Sequence, residues 1–328
     1  MRQSWSNRTP TWPVSDHCDG ERFFNPEPIE HSWTDILRWW RKRKRAKWQR
    51  VTDFEPAPAP PPRSDATRIT WINHATALIQ TRGHNILTDP IWSDWAGPLP
   101  GLGARRFHPP GIRFADLPAI DAVLISHSHY DHLDRPTIQH LIAAHDPLFI
   151  APLGLADWLQ HAGTEHAITL DWWQSHALSP ALKLHATPAR HWTRRTLFDY
   201  NRSLWCGYFL RVTDKSVAAD AILFAGDTGL ADHFAAIRQH LGAPRFALLP
   251  IGAYEPRWLM QSRHMSPSDA VQAHQMLGAE QSICIHFGTF NLSDEGQHAP
   301  VSDLRHALAQ AGLPERAFLI PAFGESVI

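Results

Sequence analysis

The sequence predicts an α/β fold, a mixed αβ sandwich in which helices cover sheets. Short β-like runs alternate with helical ones over most of the chain, 43% of its 328 residues are hydrophobic, and no apolar run approaches the roughly 18 residues of a membrane-spanning helix. A chain of this length and composition buries a large core, so one sizeable domain with an extension accounts for it. The formal net charge of −1 says nothing about a partner, because basic residues crowd one stretch. Cys18, Cys206 and Cys284 are scattered without a CxxC pair, which speaks against a disulfide framework or a thiolate metal site and fits a reducing compartment.

From the N-terminus, Met1 to Pro13 holds no apolar run that could serve as a signal sequence, so a cytoplasmic protein is expected. Trp33, Ile36, Leu37, Trp40, Lys44 and Trp48 then recur at helical spacing, while Arg41, Lys42, Arg43, Arg45, Lys47 and Arg50 fill most of the remaining surface. This predicts a basic, Trp-bearing amphipathic helix suited to the inner face of an anionic membrane. On that reading, deleting the extension weakens vesicle binding and spares turnover of a soluble substrate. A helix packed on the chain's own domain, or a nucleic-acid-binding arm, would use the same residues. Nothing else suggests base readout, and no nucleic acid is expected. Residues 56–62, Pro-Ala-Pro-Ala-Pro-Pro-Pro, cannot continue a helix or a central strand and favour extended polyproline backbone. The predicted organisation is an extension over 1–55, a connector over 56–64 and one domain over 65–328.

Within that domain, β-like runs cover Ile69 to Ile79, Ile86 to Thr88, Ala122 to Ser126, Leu148 to Ala151, Leu182 to His185, Trp205 to Val212, Ile222 to Phe224, Ala247 to Pro250 and Ser282 to His286. Helical patterns fall at Pro136 to Ala144, Leu153 to His161, Asp232 to Leu241, Pro267 to Leu277 and Val301 to Ala311. No internal repeat is visible. The Pro- and Gly-rich stretch from Pro90 to Pro118 is long for a loop in a compact domain, which marks it as a lid or substrate wall.

The chemistry concentrates in His127-Ser-His129-Tyr-Asp131-His132, directly after the apolar run Ala122-Val-Leu-Ile125 and before a helical stretch. Two imidazoles one residue apart converge on one cation, and the next Asp and His face a second beside it. In a chain of this composition such a set arises by chance about 0.01 times. A paired site needs further ligands at other strand ends, and His191, Asp227 and His286 stand at such ends, with Asp227 able to bridge two cations. His74 and Asp89, beside the first two strands, suit hydrogen bonds to ligating imidazoles, and a buried structural pair would suit them equally well.

These lines make the sequence similar to the metallo-β-lactamase superfamily, whose pattern is HxHxDH, a lone His, a bridging Asp and a last His. Trp71-Ile-Asn-His-Ala-Thr76, Leu87-Thr-Asp-Pro90, Pro188-Ala-Arg-His-Trp192, Phe224-Ala-Gly-Asp-Thr-Gly229 and Ile251-Gly-Ala-Tyr-Glu-Pro-Arg-Trp258 narrow the resemblance to its N-acylphosphatidylethanolamine-hydrolysing phospholipase D branch, over about residues 65 to 325. The resemblance implies a four-layer αββα sandwich and two Zn2+ ions, or other transition metals in their place. His127, His129 and His191 would hold one ion and Asp131, His132 and His286 the other, with Asp227 shared.

It also implies a metal-bridging hydroxide as nucleophile, oriented by Asp131 and Asp227. His264 matches a pocket histidine of the branch, as acid or hydrogen-bond donor to the substrate, and Tyr130 and Tyr254 join it as substrate-binding candidates. The residue before that histidine is Gln in mammalian members and Arg263 here. The expected activity is phosphodiester hydrolysis releasing an N-acylethanolamine and a phosphatidate. A lactonase or β-lactamase-type hydrolase on the same ions, or a non-catalytic membrane-surface binding module, are the alternatives. Expected partners are a phospholipid or other small ester substrate, a membrane surface and a second copy of the chain in a homodimer.

Overall fold

The structure, a computed structural model, describes residues 11–28, 33–43, 46–212 and 220–328. Its first half runs through α1 (Trp33–Lys42), β1 (Arg68–Asn73), β2 (Thr76–Thr81), β3 (His84–Thr88), a hairpin of β4 (Trp95–Leu99) and β5 (Leu102–Arg105), β6 (Ala122–Leu124), α2 (Arg135–His145), β7 (Leu148–Pro152), α3 (Ala156–Ala162) and β8 (Ala167–Leu170). The second half runs through β9 (Ser175–Ser179), β10 (Leu182–Thr187), β11 (Gly207–Val212), β12 (Ala221–Phe224), α4 (His233–Leu241), β13 (Phe246–Pro250), α5 (Arg257–Met260), α6 (Pro267–Leu277), β14 (Gln281–Ile285), α7 (Ala299–Gln310), β15 (Phe318–Leu319) and β16 (Ser326–Val327). Two seven-stranded sheets result, in the orders β16-β1-β2-β3-β6-β7-β8 and β15-β14-β13-β12-β11-β10-β9.

Side-chain alternation explains the layering. On the first sheet Ile69, Trp71, Ala77, Ile79, Ile86, Ala122 and Leu124 join a core that also takes in Leu182, Leu184, Leu210 and Ile222 of the second sheet. Their neighbours Ile72, Leu78, Leu87, Val123 and Phe149 point the other way and pack with Ile138 and Leu141 of α2 and Leu159 of α3. Helices α4, α6 and α7 add Phe234, Val271, Leu277 and Leu304 to the core of the second sheet. The chain is therefore a mixed αβ sandwich of two facing sheets covered by helices. Each sheet pairs antiparallel strands with a parallel set, β3-β6-β7-β8 in one and β12-β13-β14-β15 in the other. The two halves thus share a connectivity that their sequences do not display as a repeat.

Several expected elements differ in detail. The run Ile69 to Ile79 is two strands, because His74, at φ 44°, turns the chain and Asn73 pairs with Thr76. The stretch Pro90 to Pro118 is no bare loop, since β4 and β5 pair within it. The expected helix from Trp33 to Trp48 ends at Lys42. Beyond it, Ala46 O accepts from Asn291 Nδ2 at 3.0 Å, Trp48 Nε1 donates to Glu295 O at 3.1 Å, and Gln49 exchanges two hydrogen bonds with Gln297. Partners on the domain satisfy this backbone better than another helical turn would.

Helix α1 is held there too, with Trp39 Nε1 donating to Asp294 Oδ2 at 2.7 Å. Over 56–62 the chain forms neither helix nor strand; Ala57 N donates to Gly111 O at 2.8 Å, and the Pro61 and Pro62 carbonyls accept from Gln80 and Asn85. Among the described residues no helix is long and apolar enough to cross a membrane.

Candidate metal centre

All the candidate ligands stand at one end of the sandwich, where loops follow strands of both sheets. Residues 125–134 leave β6 for α2 and carry His127, His129, Asp131 and His132, while His191, Asp227 and His286 follow β10, β12 and β14. Backbone bonds join the sheets at this end: His286 N donates to His74 O at 2.8 Å and Cys206 N to Ser126 O at 3.0 Å. Gly226, at φ 62°, lets the strand before Asp227 approach Ser126, because a Cβ there would stand 2.7 Å from the Ser126 Cβ. His74, Asp89, Ala253 and His286 also hold positive φ, a conformation that costs non-glycine residues about 1–3 kcal/mol each and that gathers at sites the surrounding fold over-determines.

The donor atoms fall into interlocking groups whose members lie within 4.8 Å of one another: His127 with His129 and His191, His74 with Asp131, His132 and His286, and His191 with Asp227 and His264. His129 Nδ1 is 2.8 Å from His127 Nε2 and 3.2 Å from His191 Nε2. Asp227 Oδ2 stands 3.2 Å from His132 Nε2, 3.1 Å from His286 Nε2 and 3.9 Å from His191 Nε2, so it is common to both sets. Asp131 Oδ2 lies 3.3 Å from His132 Nε2 and 3.6 Å from His286 Nε2.

The far sides of the imidazoles fix their tautomers. His132 Nδ1 donates to Asp89 Oδ2 at 2.6 Å, and His191 Nδ1 donates to Arg263 O at 2.9 Å. Ser126 gives its hydroxyl to Asp89, so it accepts from His127 Nδ1 at 2.8 Å. In His127 and His191 this leaves Nε2 as a lone pair aimed into the cluster, and in His132 it turns Nε2 toward Asp131 and Asp227. Burial comes first among the influences on every one of these groups. It holds His127 and His191 well below the ordinary imidazole value and His129 at about 4, so these rings are neutral. Asp131 and Asp227 stay ionised against that burial because His132 and His286 face them. The carboxylates in turn lift His132 well above its usual value and His286 to about 9, again against burial. Neutral imidazoles and ionised carboxylates are the forms that bind metals, and a cation competes with the protons these carboxylates attract.

The structure brings together His127, His129, Asp131, His132, His191, Asp227 and His286, and draws His264 in beside them. His264 Nδ1 lies 3.7 Å from Asp227 Oδ2, and burial lowers that imidazole to about 3. Tyr130 flanks the ligand loop, its hydroxyl donating to Arg195 O at 2.9 Å and its ring 4.0 Å beneath the Arg195 guanidinium. Tyr254 is not brought to the cluster; it turns its hydroxyl onto Asp303 of α7 at 2.5 Å. Asp89 takes the expected role on His132. His74 instead meets a carboxylate, its Nε2 lying 2.9 Å from Asp131 Oδ2.

Asn25 was missed: its side chain donates to His191 O at 2.8 Å and accepts from His191 N at 3.1 Å. No pattern in the extension marks that asparagine. Its contact puts a hydrogen-bonded clamp on a candidate ligand within the first 55 residues.

The family model of the Beta-lactamase superfamily domain matches residues 84–287, which spans the cluster from Asp89 to His286. The chain belongs to the metallo-β-lactamase superfamily. It falls in the N-acylphosphatidylethanolamine-hydrolysing phospholipase D-like branch and is a metal-dependent hydrolase. An N-acyl-phosphatidylethanolamine-hydrolyzing phospholipase D 1 of Caenorhabditis elegans is 34% identical over 268 residues, covering 78% of this chain and 74% of that protein. A mitochondrial protein of the same description from Saccharomyces cerevisiae is 32% identical over 263 residues, covering 78% of this chain and 55% of its own length. Among solved structures, an isothiocyanate hydrolase from Delia radicum gut bacteria superposes with a TM-score of 0.64 at 23% identity, over 80% of this chain and 98% of that one. That likeness concerns the fold alone, and Asn25 and His74 lie outside the matched family segment.

Proposed function

We propose that the chain is a two-zinc phosphodiesterase that cleaves N-acylphosphatidylethanolamine-like lipids to an N-acylethanolamine and a phosphatidate. The observation that carries this reading is the convergence of two ligand sets on Asp227. The fit rests on buried atoms that make no hydrogen bond within the protein, although carboxylates face several of them: His129 Nε2, His132 Nε2, His286 Nε2, His264 Nδ1 and Asp227 Oδ1. Nitrogen and oxygen donors without a thiolate suit zinc or iron. His127, His129 and His191 would hold one ion, Asp131, His132 and His286 the other, with Asp227 between them. Such a pair, when bound, supplies Lewis acidity at the phosphoryl oxygen and a water of lowered pKa.

The remaining tasks fall to the protein. Asp131 and Asp227 accept hydrogen bonds from the attacking water and so aim it, and His74 fixes the rotamer of Asp131. His264, neutral and beside Asp227, donates to the phosphoryl oxygen or the leaving group. The names of the worm and yeast relatives support a lipid substrate. Purified protein should carry close to two transition-metal ions per chain, and chelation should abolish cleavage of N-acylphosphatidylethanolamine. One ion or none in active protein ends the dinuclear reading. Turnover confined to homoserine lactones or β-lactams replaces the lipid with an acyl substrate, and no turnover at all would favour the binding module.

The proposal extends to a peripheral membrane seat. Leu197 and Phe198 are 76% and 81% exposed on the loop that follows Trp192, and Leu99 and Leu102 are 64% and 58% exposed at the β4–β5 hairpin. Solvated aliphatic and aromatic side chains on loops beside a site suit insertion among lipid headgroups. Replacing Leu197 and Phe198 together by Asp should weaken sedimentation with anionic vesicles several-fold and spare a soluble substrate. Undiminished sedimentation removes the loop from the seat.

A further inference from the structure

Arg263 is a cation without a counter-charge at the edge of the cluster. Its guanidinium carbon lies 5.1 Å over the Trp192 ring, and that ring meets His129 edge-on at 4.6 Å. Its Nε is buried and has no hydrogen-bond partner, and among the described residues no carboxylate lies within ion-pair range of it. The neighbouring arginines are spoken for: Arg190 pairs with Glu27 at 3.5 Å, Arg195 donates to the carbonyls of Ser128 and Leu133, and Arg257 donates to Asp269 at 2.5 Å.

A partly buried guanidinium left unpaired carries a desolvation cost that only an anion or an acceptor returns. The backbone around Arg263 is meanwhile fixed. Its carbonyl accepts from His191, its amide donates to Met260 O at 2.8 Å, and Met265 N donates to Thr228 O at 3.0 Å. The side chain is therefore delivered to one place, on the face of an indole that also touches a candidate ligand.

We propose that Arg263, resting on Trp192, forms an anion subsite that makes this hydrolase select substrates carrying a phosphoryl charge over neutral esters. The planar fork of donors matches two oxygens of one phosphoryl group, and the indole face keeps the guanidinium plane from turning away. The proposal deepens the phosphodiesterase reading and rests on it for the identity of the natural substrate. The subsite itself is a statement about phosphoryl oxygens, whether a diester or inorganic phosphate brings them.

The test uses metal-loaded wild type with Arg263→Gln and Arg263→Lys, checked for equal metal content, since only the carbonyl of residue 263 touches His191. Two substrates with the same leaving group are compared, bis(p-nitrophenyl) phosphate and neutral p-nitrophenyl acetate. In parallel, inorganic phosphate is titrated calorimetrically into each protein and used as an inhibitor of the acetate reaction. Arg263→Gln should lower the phosphodiester-to-ester ratio of kcat/KM roughly 10- to 100-fold, mainly through KM, and weaken phosphate binding by a similar factor, the worth of a hydrogen bond to a charged group. Arg263→Lys should recover part of both. An unchanged ratio with unchanged phosphate affinity overturns the subsite. A wild type that turns over the acetate and no phosphodiester ends the phosphodiesterase reading, and the phosphate titration then decides Arg263 by itself.

Discussion

At the scale of single residues, the clustering of the candidate ligands was legible because metal chemistry restricts both residue type and spacing. His127, His129, Asp131 and His132 announce themselves within six positions, and His191, Asp227 and His286 could be sought at strand ends. What sequence could not supply was the atom each residue presents. Asp89, Ser126 and the Arg263 carbonyl decide that, by occupying the far nitrogen of His132, His127 and His191. His264 carries a prediction of its own. It lies outside both ligand triads yet 3.7 Å from the shared carboxylate, with Nδ1 buried and unpartnered. If it donates to the phosphoryl group, His264→Asn should keep both metals and lower kcat for a phosphodiester by about 10² to 10⁴. A lactone, whose carbonyl a metal can polarise directly, should lose much less. Small and equal losses on both substrates would make His264 a bystander.

At the scale of elements, strands with strong alternation were readable, and the parallel strands β6, β12, β13 and β14 lie within two residues of the runs expected for them. The short edge pieces β8, β9, β15 and β16 were not, because two to five residues beside a formed sheet take their conformation from the ladder rather than from their own pattern. The extension shows the same limit more sharply. Helical spacing from Trp33 to Trp48 predicted one helix, yet hydrogen bonds to Asn291, Glu295 and Gln297 hold Ala46 to Gln49 along the domain. Further upstream, Asn25 reaches across 166 residues to both backbone groups of His191, a contact with no local signature. Because the clamp acts through a candidate ligand, Asn25→Ala should weaken metal retention about 10- to 100-fold in a chelator competition, in the way that lost outer partners of metal ligands do. Asn25→Asp keeps one of the two bonds and should fall between. Wild-type metal affinity in Asn25→Ala, at unchanged melting temperature, would reduce the clamp to a packing contact.

At the scale of the whole molecule, the site exists only where the two sheets meet. The first sheet's loops supply His127, His129, Asp131 and His132, and the second sheet's supply His191, Asp227 and His286, so neither half holds a complete set. The sandwich must therefore fix the sheets against each other close beneath the ligands. Tyr208 of β11 does this from the second sheet, its buried hydroxyl donating across the core to Ile125 O at 2.8 Å and Ile150 O at 3.2 Å. Ile125 lies two residues before His127, so the same hydroxyl that joins the sheets also anchors the start of the ligand loop. Tyr208→Phe removes that donor and little volume, which should cost about 1–2 kcal/mol and lower the melting temperature by about 2–4 °C in metal-stripped protein. Bound metal adds stability according to its affinity for the folded state, about 2.7 kcal/mol at a hundredfold excess over Kd. If Tyr208 also holds His127 in place, the variant binds metal more weakly, and its loss of stability should be larger in the metal-loaded protein than in the stripped one. Equal losses in the two forms would confine Tyr208 to packing, and no loss in either would mean that the sheets hold their spacing without it.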